Sequence, residues 1–249
     1  MMKRQNNSGF SLIEMMIAIA VLTIIMGAMF QQIIVAQQRS GVEQAKLDLF
    51  QESREFMDQL TRDLHNAGYP NPRNYGYAAG TFQVPSPASQ QSNAAAGLVK
   101  VDNGDLWFEG DVIGDGQVYV VHYHLDTDGT NCPCLKRSWQ VKVPGDPLTG
   151  QTTPDYEVEV QNVLNGTANY PLATHPIFYA YYLGDTTNPV PLPVDTTGLI
   201  ANVNTIKVVL TVQAKIRDPQ TRLAPTATLV STVKLNNCNT TAAGPMDCN

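Results

Sequence analysis

A chain of 249 residues, 43% of them hydrophobic, has material for one long helix and a single soluble domain with a core of its own. Its formal net charge is -6 with only 15% charged residues, which leaves no basic surface to neutralise a run of phosphates and excludes nucleic acid as the expected partner. The cysteines at 132, 134, 238 and 248 all follow the one strongly apolar run, a placement that suits export into an oxidising compartment.

Lys3 and Arg4 precede that run, and no charged residue occurs from Met15 to Gln38. A hydrocarbon core takes about 20 apolar residues to cross, so a transmembrane segment is expected at about 12–36. The basic pair holds the N-terminus in the cytoplasm and sends the remainder across the membrane, giving a single pass. Ala18-Ile19-Ala20 lies inside the apolar run and not after it, which is a poor fit to the general signal peptidase. Glu14 is the unusual residue, because an unpaired carboxylate in such a helix costs about 2.5 to 3.5 kcal/mol. Cleavage between Gly9 and Phe10 would create an α-amino group four residues earlier, one helical turn away on the same face.

Lys3 and Arg4 followed by Gly9-Phe10-Ser11-Leu12-Ile13-Glu14 closely resemble the class III signal of type IV prepilins and type II secretion pseudopilins. The resemblance implies that residues 1–9 are a leader, that prepilin peptidase cuts after Gly9, and that the new amine on Phe10 is methylated. It also implies that Glu14 serves subunit assembly, pairing with the N-terminus of a neighbouring subunit in a fibre. A one-turn slip would strand both charges, and breaking a buried pair costs about 3 to 5 kcal/mol.

Helical spacing continues through Val42, Leu47, Leu49, Phe50, Phe56, Met57, Leu60 and Leu64. Gly68, Pro70 and Pro72 place the end of the helix, which runs from residue 10, near Ala67. An apolar stripe of that size needs cover, so the second half of the helix is expected against a sheet. Arg54 to Pro70, with Leu60, Arg62-Asp63-Leu64 and Ala67-Gly68-Tyr69, resembles the helix end of PilW-type minor pilins and related J-type minor pseudopilins.

Residues 68–98 read as a connecting loop, with 78–97 rich in Ala, Gln, Ser, Pro and Gly. Residues 99–249 read as a β-rich periplasmic or extracellular head. Its strands are expected at Asp105–Glu109, Gln117–Leu125, Leu135–Val143, Tyr156–Leu164, Ile177–Leu183, Thr205–Arg217 and Ala227–Leu235. The fold class is α+β: a long N-terminal helix on a mostly antiparallel head of two small sheets.

His122 and His124 share one face of a strand and resemble two ligands of a metal site, but no further ligand lies beside them in the sequence. They read first as exposed strand histidines. Asp126-Thr127-Asp128-Gly129-Thr130-Asn131 reads as a hairpin turn, with calcium the alternative, and lacks the EF-hand spacing. Asp111 to Gly116 also reads as a turn. Cys238 with Cys248 is the easiest disulfide, because Gly244-Pro245 lets the chain fold back. Cys132-Pro133-Cys134 is left open among free thiols, a bond within the pair, a redox-active dithiol and bonds to the two later cysteines.

No arrangement for nucleophilic catalysis and no phosphate-binding loop occurs, so no enzyme, cofactor or small-molecule substrate is expected. The resemblance implies a minor pilin that helps to initiate or prime a type IV pilus. Its partners would be prepilin peptidase, the inner-membrane assembly platform, the major pilin and other minor pilins. The head would stand in the periplasm before assembly and in the fibre afterwards. A minor pseudopilin of type II secretion shares these features. A pilus-borne adhesin with a glycan site among Tyr75, Tyr77 and Tyr179 to Tyr182 is the reading from another class.

Overall fold

The computed structural model describes residues 11–69, 90–129, 132–182, 185, 187–197, 200–219 and 221–235. Helix α1, Leu12–His65, is one unbroken element of 54 residues with no proline inside it. At about 1.5 Å per residue it is a rod of about 80 Å. Asn66 caps it, its N–H donating to the carbonyls of Arg62 (3.2 Å) and Asp63 (3.1 Å). Gly68 follows at φ 83°, the left-handed conformation that glycine adopts without a side-chain penalty.

Among the described residues nine strands follow: β1 Leu98–Val101, β2 Asp105–Gly110, β3 Tyr119–Asp126, β4 Cys134–Val141, β5 Glu157–Gln161, β6 Phe178–Tyr182, β7 Val194–Asp195, β8 Val203–Gln213 and β9 Thr226–Lys234. They form a six-stranded sheet ordered β5-β4-β3-β2-β1-β7 and a three-stranded sheet ordered β6-β8-β9. Every pairing is antiparallel. The seven expected strands are present with shifted ends, and β1 and β7 are additions. β1 opens at Leu98, which the sequence reading placed in the connecting loop. Of that loop, residues 70–89 lie outside the described residues, and 90–97 hold no helix or strand.

One apolar core joins the three layers, with Phe56, Leu60 and Leu64 of α1 buried together with Phe108, Val121 and Tyr123 of the large sheet and Ile206, Leu210 and Val212 of the small one. The second half of α1 packs on β5, β8 and β9. Two members of the expected stripe depart from it. Leu47 (61% exposed) and Phe50 (41%) face a shallow groove shared with Leu229 and Val230 of β9. The buried face runs instead through Leu49, Ser53, Phe56, Leu60 and Leu64, spaced three and four apart.

The helix end is stitched to the large sheet. Gly68 N–H donates to the Glu109 carbonyl (2.7 Å), and Asp111 N–H donates to the Tyr69 carbonyl (2.9 Å). A Cβ at Gly110 would collide with the Asn66 carbonyl, so glycine is what lets α1 end this close to β2. A buried polar link lies just inside: Asp63 accepts from the Tyr123 hydroxyl (2.6 Å) and from Arg137 Nε (2.9 Å). Tyr123 and Arg137 face each other across β3 and β4, so one helical carboxylate holds two strands.

Candidate functional site

The first half of α1 is dominated by apolar surface. From Leu12 to Ile34 its large side chains are exposed, and the first buried residue of the helix is Val42. The segment is long and apolar enough to cross a membrane by length and composition. Contiguous apolar surface on this scale is foreign to a water-facing helix and fits lipid or other helices.

Ser11, in an extended conformation, starts the helix, and Glu14 lies exposed in the first turn. An acidic side chain at that end complements the helix dipole. Glu14 makes no ion pair among the described residues, and Gly9 and Phe10 lie outside them.

The head carries a cluster of titratable groups on the face of the large sheet opposite α1. Tyr123 of β3 points toward α1, so the alternation of the strand sends His122 and His124 to the other side. Register places Asp105 of β2 across from His124 and Trp107 across from His122. Asp105 Oδ1 lies 3.2 Å from His122 Nε2 and 2.5 Å from His124 Nδ1. The Tyr156 hydroxyl, just before β5, hydrogen-bonds to His122 Nδ1. The Trp107 ring meets His122 edge-on, with centroids 4.5 Å apart.

This corrects the reading of the pair as exposed histidines without an acidic neighbour. His122 is only 8% exposed, and one carboxylate stands between both rings. Burial lowers the His122 pKa, whereas the hydrogen bond to Asp105 raises that of His124. Burial works to raise the Asp105 carboxyl, but hydrogen bonds with both imidazoles outweigh it and hold the group well below the ordinary carboxylate range. The strand ends expected from the sequence, Glu109 and Gln117, would pair Asp105 with Val121; the register that sets it opposite His124 came only with the structure.

The two acidic turns have their oxygens engaged. Asp111 accepts from the N–H groups of Gly114 (2.6 Å), Asp115 (3.2 Å) and Gly116 (2.8 Å). Asp126 accepts from the N–H groups of Asp128 (2.9 Å) and Gly129 (3.0 Å) and from Lys136 Nζ (2.6 Å). Both are turns, as expected; Thr130 and Asn131 lie outside the described residues. Cys132 and Cys134 are bonded to each other, one of the alternatives that the spacing left open. Cys238 and Cys248 lie outside the described residues, as do Tyr75 and Tyr77. Tyr181 is buried, and Tyr179 is half-buried with Lys207 Nζ 5.7 Å from its ring centroid.

Residues 4–30 match the family model of the prokaryotic N-terminal methylation motif. No curated protein and no solved structure matches the chain. The motif implies processing by a prepilin peptidase and association with pilus components, and the apolar helix that it opens is consistent with membrane anchoring. Motif, helix and antiparallel head together support a type IV pilin-like protein.

Proposed function

We infer that this chain is a minor pilin, a structural subunit stored in the inner membrane with its head in the periplasm and then built into a type IV pilus, where it helps to initiate or prime assembly. The observation that carries the reading is the division of α1. One half is apolar and exposed from Leu12 to Ile34, and the other is bound into the head from Val42 to Leu64. Such a helix moves from lipid into a helical bundle without exchanging apolar surface for water. Glu14 lies in the first turn of α1, and on this reading it pairs with the N-terminal amine of a neighbour and sets the register. The role is mechanical: nothing in it calls for turnover of a substrate.

The test is made on protein from native envelopes and from sheared surface fibres. The N-terminal peptide, read by mass spectrometry, is expected to begin at methylated Phe10 in both fractions. A chain retaining Met1 to Gly9 would reject prepilin processing, and a processed chain confined to the envelope would favour a secretion pseudopilus over a pilus.

A further inference from the structure

We propose that Asp105, His122 and His124 form a binding site for one zinc-class divalent transition-metal ion on the outer face of the large sheet. The site owes nothing to the assembly helix and goes beyond the structural role inferred above.

Strand pairing brings these residues together. Asp105 and His124 are register partners on β2 and β3, and His122 is the next residue of β3 on the same face. One carboxylate oxygen and two imidazole nitrogens lie within 4.8 Å of one another. Zinc holds such atoms at about 2.0 to 2.2 Å, so tetrahedral ligands stand roughly 3.3 Å apart. The Asp105 to His122 separation of 3.2 Å already meets this. The shorter contact to His124, 2.5 Å, has to open, and that side chain is 38% exposed and has room to move.

His122 is held as a metal-bound histidine is held. When its proton is on Nδ1, donating to the Tyr156 oxygen, the Nε2 lone pair points at Asp105 and is available to a cation. The Trp107 and Tyr156 rings, with centroids 4.5 and 5.3 Å from that of His122, fix the imidazole plane.

The donor set selects the ion. Two imidazoles and one carboxylate suit zinc and its transition-metal neighbours, whereas calcium takes six to eight oxygens and magnesium an octahedral oxygen shell. Three protein ligands would leave a fourth position for water; Asp105 and His124 are the less buried members, with side chains 26% and 38% exposed. The other sulfur and carboxylate group, Asp126 with Cys132 and Cys134, is spent on a disulfide and on turn hydrogen bonds.

The full chain, purified in detergent and stripped of metal, is titrated with zinc chloride against a chromogenic chelator, and its melting is followed with and without zinc. One equivalent is expected to bind and to raise the melting temperature, with calcium and magnesium failing to compete. His124→Ala and Asp105→Asn are each expected to lose that equivalent, so that adding zinc leaves the melting temperature of each variant where it stands without metal. Tyr156→Phe keeps all three ligands and guards against a folding defect in the first two; it is expected to weaken zinc by about 10- to 100-fold. Zinc binding that is absent from the parent protein, or equally tight in the parent, His124→Ala and Asp105→Asn, overturns the proposal.

Discussion

Asp63 shows how a single side chain can join a helix to a sheet and make the joint sensitive to pH. Its carboxylate is buried with Arg137 Nη2 2.9 Å away and the Tyr123 hydroxyl at 2.6 Å; Arg62 and Glu159 are the other charges near the pair. Burial raises its pKa above 3.8, and Arg137 opposes the rise. In Arg137→Met the opposing charge is gone, so the folded pKa climbs further. A carboxyl with a folded pKa above its unfolded one contributes stability in full below the unfolded value and loses it as pH rises through the folded value. The expected loss for Arg137→Met is therefore about 3 to 5 kcal/mol near neutral pH. Denaturant titrations of the detergent-solubilised chain at about pH 7 and about pH 4.5 should show the loss shrinking on acidification; equal losses would mean that Asp63 is not the group left stranded. Glu109 and Lys142 make a second buried pair, 2.6 Å apart on the opposite face, where burial raises the carboxyl and lowers the amine.

At the scale of elements, the second half of α1 decides how the head is held. Leu60 and Leu64 are sealed into the core, but Leu47 and Phe50 stand in the groove beside β9. Leu60→Ala should cost about 2 to 5 kcal/mol, and Leu47→Ala should stay within about 0.5 kcal/mol in the isolated subunit. Denaturation of the two variants side by side checks this; a comparable loss at Leu47 would mean that the groove side is covered. A helical stripe read from spacing alone includes both sets, because an arc of apolar residues does not say how much of it a sheet will cover. Strands were legible in the same way. β3, β4, β8 and β9 are eight or more residues long and carry their own pattern, whereas β7 has two residues and exists only because Val194 and Asp195 lie along β1.

At the scale of the molecule, the two halves of α1 differ in their surroundings, the first exposed and the second packed into the head. The head is self-contained, with helix and both sheets sharing one core, so changes near the N-terminus should leave it folded. Glu14→Val is expected to preserve cleavage after Gly9 and the melting of the head, yet to remove the protein from sheared fibres, as scored by immunoblot. Normal incorporation of that variant would refute the pairing role of Glu14. The metal site lies on the sheet face opposite α1, so zinc binding and fibre entry should vary independently.

The sequence by itself determined the parts whose physics is local. The charge-free apolar run, the lone Glu14, the helix stop at Gly68 and the turns at Asp111 and Asp126 each follow from residues close together in the chain. Only the tertiary structure decided which face of α1 is buried, that Asp63 meets Arg137 across 74 positions, and that Asp105 stands between two histidines 17 and 19 residues away. These depend on strand register and on the angle at which the helix meets the sheets. Both are set by the packing of the whole core, which no short window of sequence contains.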